Sequence, residues 1–411
     1  MKTDIAIIGG GASGLTAAVT LGELLPRANV TILEKLDRVG KKILATGNGR
    51  CNLSNLDLSS KHYCGSIDAA KIIGTTPTAE EFFRSLGVLV TADAQGRMYP
   101  YSNSAATVLN ALRLRTAELG ITEECGFEMK SYERMNDGGF RIASTDDREI
   151  VCKRLIVAAG GYASQKHGTD GAVMRLLKDK GYGCARICPA VAPLRVSQDD
   201  VKGLGGVRAK GEVSAIANGK VLRTERGEIQ FTSDSLSGIC VFNLSRYFAN
   251  YEGRLTIYAD LAPDMDKVTL ADYLHEIRRE RRECGLDELL SGIFSSKLAV
   301  YLVKRALGRP LTDRIGALKN GDIMHVADTV KALSFRVTGS APWNSAQVTC
   351  GGINADALLA GLESKTERGL FLCGEILDVT GDCGGYNLQW AWSSGITAAR
   401  SCAESLKGMS I

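Results

Sequence analysis

Two short, largely apolar runs, Ile5 to Ile8 and Val30 to Leu33, flank a segment from Leu15 to Leu25 in which apolar residues dominate at helical spacing. The pattern predicts strand, helix, strand. Gly9-Gly-Gly11-Ala12-Ser13-Gly14 fills the first junction, and Glu34 ends the second strand. A glycine turn between strand and helix, with an acid about 20 residues further on, is the opening unit of a dinucleotide-binding domain. Gly9 permits the tight turn, Gly11 leaves room for a pyrophosphate, and Gly14 lets the helix approach the sheet. Glu34 stands where a carboxylate accepts both ribose hydroxyls of an adenosine, which favours an adenine dinucleotide without a 2′-phosphate. By itself this fingerprint leaves FAD and NAD open.

Further along, Thr46 to Asn55 is polar and glycine-punctuated, with the amides, guanidinium and short polar side chains that suit a diphosphate or the edge of a heterocycle. A helix is expected over Ala105 to Leu119. Short strands are expected over Gly120 to Phe127, Gly139 to Ile142 and Glu149 to Lys153, and Leu155 to Gly161 reads as a separate return to the parallel sheet. From Ala190 the pattern changes. Val191 to Val196, Gly211 to Ala217, Lys220 to Thr224, Glu228 to Phe231 and Leu255 to Asp260 read as strands of a small antiparallel or barrel-like unit. Leu270 to Glu283, Leu286 to Ser291 and Ser296 to Leu307 carry helical spacings. The strand Gly369 to Glu375, a glycine-rich turn over Gly381 to Gly385 and a helix over Trp390 to Leu406 restore the nucleotide fold.

The expected fold is α/β: a Rossmann-like domain assembled from both chain ends (1–190 and 341–411), with an inserted β-rich domain (191–265 and 326–340) carrying a helical subdomain (266–325). In 411 residues, 45% hydrophobic and 23% charged content is that of a packed chain, and no fixed-period repeat suggests a solenoid. A net charge of +4 is too mild to argue for nucleic acid, and the run Arg278, Arg279, Arg281 and Arg282 reads as a solvated helix face or an oligomer contact rather than a polyanion site, so a nucleic-acid partner is not expected. The start Met1-Lys-Thr3 enters a strand directly, without a leader or spanning segment, which points to a cytoplasmic protein with no membrane partner. Twelve irregularly spaced cysteines and only four histidines, without a Cys-x-x-Cys or His-x-x-x-His pair, favour free thiols and give a metal mechanism no footing.

Longer signatures carry a resemblance. The glycine turn at Gly9 to Gly14 recurs with Thr46-Gly-Asn-Gly49-Arg50-Cys51-Asn52-Leu-Ser-Asn55, Tyr99-Pro100-Tyr-Ser102, Phe231 to Gly238 and Gly374-Glu375-Ile-Leu-Asp378 through Gly384-Gly385-Tyr386-Asn387-Leu-Gln389 to Gly395. Over nearly its whole length the chain resembles the HI0933-like flavoproteins, a bacterial family of the two-dinucleotide-binding-domain superfamily. The resemblance implies FAD contacts from Gly11, Ala12, Ser13, Glu34, Lys35, Lys42, Gly49, Arg50, Cys51, Asn52, the backbone near Phe127, Ala159, Gly160, Glu375, Asp378, Gly385, Tyr386 and Asn387. Gly9, Gly14 and Gly374 join them from the two glycine turns. Asp234-Ser235 and Ser237-Gly238-Ile239-Cys240 depart from the family pattern, all within the insertion.

An FAD-dependent oxidoreductase acting on a small or medium organic substrate is therefore expected. Its circuit is either NAD(P)H-linked reduction, with the nicotinamide nucleotide a transient donor, or oxygen-dependent oxidation. The alternative is a flavin-bearing redox sensor or assembly protein without turnover. No residue stands out as the catalytic acid or base.

Overall fold

In the computed structural model, which describes residues 1–408, Lys2–Ile8 is buried almost throughout from Ile5 onward, as an inner parallel strand must be. It pairs in parallel with Val30–Glu34 on one side and with Glu149–Val157 on the other. The sheet has seven strands in the order Thr122–Cys125, Val30–Glu34, Lys2–Ile8, Glu149–Val157, Phe140–Ser144 and Met129–Arg134, with Leu370–Leu372 also paired to Glu149–Val157.

Glu149–Val157 is one continuous strand where the sequence suggested two. Its first half runs antiparallel to Phe140–Ser144, and its last three residues run parallel to Leu370–Leu372. The charged pair Lys153-Arg154 does not break it, because the buried Arg154 donates from Nε to Ser405 Oγ (2.8 Å) and from Nη2 to Ser405 O (2.9 Å). Met129–Arg134 is a strand that the apolar pattern did not mark, since three of its six positions are solvated arginine, glutamate and lysine.

The chain divides into two compact units, one formed by Met1–Pro189 together with the chain from Ala346 onward, the other by Ala190–Ser345. In the first, helix Ala12–Leu24 lies against the C-terminal helix Tyr386–Lys407. A Cβ on Gly395 would stand 2.5 Å from Ser13 O, so only glycine allows this approach. The C-terminal helix starts four residues before the expected Trp390, which makes Tyr386 and Asn387 part of its first turn.

The second unit is a closed six-stranded barrel in the order Leu194–Val196, Ser235–Ser237, Lys220–Phe231, Arg208–Ala217, Leu255–Asp260 and Leu333–Ser340. Lys220–Phe231 is a single strand rather than two, because Gly227 stays in register opposite Gly211. Helices Lys267–Glu280, Ser296–Leu307 and Asn320–Lys331 bury Leu274, Leu302 and Val326 in the same hydrophobic cluster as barrel residues Val213, Ile257 and Phe335. The last helix crosses the expected subdomain limit at 325, and the expected helix over Leu286 to Ser291 shrinks to a short turn, Leu286–Glu288. Among the described residues, no helix is long and apolar enough to cross a membrane, and no group of three or more potential ligands could hold a metal ion.

Candidate functional site

Three parallel strands, Lys2–Ile8, Glu149–Val157 and Leu370–Leu372, end at one edge of the sheet, and each is followed within three residues by glycine: Gly9, Gly160 and Gly374. Carboxyl ends of parallel strands are where open α/β sheets bind ligands. Gly9 (φ +98°) lies so close to the neighbouring strand end that a Cβ would sit 2.6 Å from Ala158 O and 3.1 Å from Ala159 Cα. Gly14 is equally constrained, its notional Cβ falling on Gly9 O. Gly11 differs: a Cβ there would meet nothing within 4 Å, so the absent side chain leaves open space in front of the helix. Gly11 caps helix Ala12–Leu24 without any side-chain hydrogen bond, and the first turn holds no acid, so its amides are available to an anionic group.

Glu34 stands beside that turn. Its Oε2 accepts from Gly10 N–H (2.8 Å) and its Oε1 from Leu36 N–H (2.8 Å), which fixes the carboxylate and leaves further lone pairs for ribose hydroxyls. Phe127 N–H donates to Glu34 O (2.9 Å), placing the Phe127 backbone at the same edge. Lys35 is committed to protein partners, with its ammonium 2.7 Å from Glu128 and 2.6 Å from Asp170. Burial works against its charge, but the two carboxylates outweigh burial and hold its pKa above the ordinary value.

Lys42 joins the two ends of the chain, its Nζ 2.6 Å from Glu375 Oε2, while Glu375 Oε1 accepts from Thr349 N–H (2.8 Å). Gly374 N–H donates to Ser394 Oγ (2.9 Å) and Gly374 O accepts from Trp390 Nε1 (3.1 Å). Asp378 Oδ2 accepts from Ser66 N–H (2.8 Å).

The loop around Gly49, Arg50, Cys51 and Asn52 is anchored to the start of the C-terminal helix. With its amide oriented by its neighbours, Asn52 donates to Met98 O (3.1 Å) and Ser54 O (3.0 Å) and accepts from Gly385 N–H (3.2 Å). Ser54 Oγ donates to Gln389 Oε1 (2.7 Å), and Trp392 Nε1 donates to Leu53 O (3.0 Å). Arg50 Nε donates to Gly47 O (3.3 Å) and its guanidinium lies over the Tyr99 ring at 4.9 Å, so it clamps its own loop. Burial pushes the Cys51 thiol up to about 12, which leaves the backbone as that residue's means of touching a ligand. Asn387 exchanges bonds with Gly381 (both 2.9 Å) and donates to Asp382 O (3.2 Å), holding the preceding turn.

Sequence reasoning missed His62, Tyr63 and Asp382. His62 Nδ1 lies 2.9 Å from Asp382 Oδ2 and its ring stacks on Tyr386 at 4.4 Å. The signal was weak: His62 is more than 300 positions from Asp382, and only strand pairing between Tyr63–Gly65 and Val379–Gly381 unites them. These features fit FAD: an uncapped helix N-terminus behind open space at Gly11, a fixed carboxylate at Glu34, and the second helix start at Gly385.

The family model described as HI0933-like protein Rossmann domain matches residues 3–401. The chain belongs to the HI0933-like family. It is 36% identical over 97% of its length to a 3-dehydro-bile acid delta(4,6)-reductase from Clostridium scindens, 99% of which is covered. It is 27% identical to a ribosomal RNA dihydrouridine synthase from Escherichia coli, with 98% of both chains covered. Among solved structures, a 3-ketosteroid delta1-dehydrogenase from Sterolibacterium denitrificans aligns over 98% of this chain and 100% of its own at a TM-score of 0.51; at 13% identity the likeness is one of fold. This HI0933-like protein is an FAD-dependent oxidoreductase. The full-length relationship to an RNA-modifying protein corrects the expectation that nucleic acid is not a partner. Net charge averages over the whole surface, so a mild value does not exclude a local nucleic-acid site.

Proposed function

We propose that this enzyme reduces a ring carbon–carbon double bond conjugated to a carbonyl, with electrons from a reduced nicotinamide nucleotide. The observation that carries the reading is the 36% identity, end to end, to a protein named for reducing the delta(4,6) unsaturation of a 3-dehydro-bile acid. The Escherichia coli relative's name points to related chemistry, since dihydrouridine is uridine with two hydrogens added. A polycyclic enone is the first substrate class, and a pyrimidine base in RNA the second.

Bound FAD supplies two-electron transfer between the nucleotide and the double bond. In this reading the amides of Ala12, Ser13 and Gly14 hold the diphosphate, and Glu34 holds the adenosine ribose. The Lys42–Glu375 pair and the loop from Gly49 to Asn52 fix the strand-end edge. The first turn of the C-terminal helix, at Gly385, Tyr386 and Asn387, directs positive dipole toward negative charge that develops on reduction.

Anaerobic stopped-flow absorbance tests the reading. NADH or NADPH is expected to bleach the flavin, and a 3-oxo-delta(4,6) steroid to restore it with loss of the dienone absorbance. RNA lacking dihydrouridine, offered in parallel, reports the second class. Flavin that neither nucleotide reduces, but that an organic donor reduces with oxygen-dependent peroxide formation, would overturn the proposal.

A further inference from the structure

We propose that Tyr63 is a carbonyl-recognition residue of this site: its phenol hydroxyl donates to a conjugated carbonyl oxygen, on the flavin's pyrimidine ring or on the substrate, while His62, Asp382 and Tyr386 hold the ring in position. The inference rests on the reading of the enzyme as an FAD-dependent reductase of conjugated carbonyl compounds.

Tyr63 opens the strand Tyr63–Gly65 and lies opposite Gly381, four residues before the cap of the C-terminal helix. Its ring meets that of Tyr386 edge-on, with centroids 5.8 Å apart and planes at 88°. Tyr386 in turn stacks on His62 at 4.4 Å and 18°. His62 faces a carboxylate from each ring nitrogen, Asp382 at 2.9 Å from Nδ1 and Asp57 at 3.1 Å from Nε2. Asp382 N–H donates to His62 O (2.9 Å), so backbone and side chain both tie these two residues together.

One polar atom stands apart in this frame. The Tyr63 hydroxyl is closed off from solvent and has no hydrogen-bond partner among the described residues. A buried hydroxyl left unpaired costs roughly 1–3 kcal/mol. Two other largely buried phenols are paired, Tyr132 and Tyr182 both donating to Glu367 Oε2, at 2.6 and 2.8 Å. An unpaired phenol beside the helix start that receives the flavin is accounted for if its acceptor arrives with a ligand.

The donor role follows from the surroundings. Burial first, then the neighbouring Tyr386 and Asp382, push the Tyr63 pKa above its ordinary value, so the group stays a neutral O–H. A neutral donor aimed at a conjugated carbonyl oxygen binds more strongly as that oxygen gains charge, which is how a fixed hydrogen bond favours the reduced or transition state.

Tyr63→Phe in the FAD-loaded enzyme removes this hydroxyl alone, and its melting temperature is expected to equal or exceed that of wild type. Tyr132→Phe, which breaks a made hydrogen bond, is expected to melt lower while leaving FAD binding unchanged. If the acceptor is the flavin, Tyr63→Phe weakens FAD titration into deflavinated protein by about tenfold, the loss expected for one good hydrogen bond, and lowers the midpoint potential. If the acceptor is the substrate, FAD affinity and potential match wild type, while binding of a cyclic enone to oxidised enzyme and the reoxidation rate both fall about tenfold. Wild-type values in all four measurements would overturn the proposal, as would failure of Tyr63→Phe to fold, since the hydroxyl would then have a structural partner. A wild-type enzyme that binds FAD but reduces no conjugated carbonyl compound removes the underlying reading instead.

Discussion

Lys42 and Glu375 lie 333 positions apart and form an ion pair with Nζ 2.6 Å from Oε2. Their side chains are 25% and 19% exposed, and Lys42 Nζ also donates to Ala163 O at 3.4 Å. One short contact therefore ties the helix after the second strand to the strand-end edge formed by the last part of the chain. A double-mutant cycle with Lys42→Met and Glu375→Gln is expected to give a coupling of about 1 kcal/mol in urea unfolding. Each single variant should also retain FAD less well. Strictly additive losses would show that the pair contributes no mutual stabilisation.

Gly11→Ala and Gly14→Ala should separate binding from folding. At Gly11 φ is −82° and a Cβ has open space, so the apo protein should lose under about 1 kcal/mol as a poorer N-cap. FAD affinity should nevertheless fall about tenfold or further, because the methyl occupies the approach to the helix amides. Gly14→Ala puts its Cβ on the Gly9 carbonyl oxygen and should cost about 1–3 kcal/mol of stability. Thermal melts of the apo proteins and FAD titrations are the measurements; unchanged FAD affinity in Gly11→Ala would remove the phosphate site from this turn.

Glu34 carries two duties, and a substitution should reveal both. Glu34→Ala leaves the amides of Gly10 and Leu36 without their acceptor, at a cost of about 1–3 kcal/mol in apo stability. It should also weaken FAD binding with little change in flavin reduction rate at saturating FAD. Equal FAD affinity in wild type and variant would sink the ribose assignment.

The Lys35–Asp170 pair sets a pH window. Burial raises the Asp170 pKa, but the hydrogen bonds from Lys35 and from Ala172 N–H, together with the Lys35 and Arg175 charges, outweigh it and the net value lies below 3.8. Its stabilisation is thus present above pH 3.8 and is lost as pH falls through the folded value. The Lys35 pKa is raised above 10.5, so its share is complete below pH 10.5 and is lost as pH rises through its folded value. The stability difference between wild type and Asp170→Asn should be level across neutral pH and shrink toward both limits. A difference undiminished at about pH 2 would assign it to another cause.

Local pattern was enough for much of this molecule. The apolar runs at Ile5 and Val30, the glycines between them and Glu34 specify a nucleotide-binding start, because strand burial, turn geometry and helix spacing are all set within about 35 neighbouring residues. The alternating strands of the insertion likewise pointed to a barrel-like unit. Tertiary structure decided what depends on distant partners. It made one strand of Glu149–Val157, since Ser405 satisfies Arg154, and it began the C-terminal helix at Tyr386. It also brought His62 and Tyr63 to Asp382 and Tyr386, a cluster with no local signature, because its spacing is set by an antiparallel pairing of strands more than 300 residues apart.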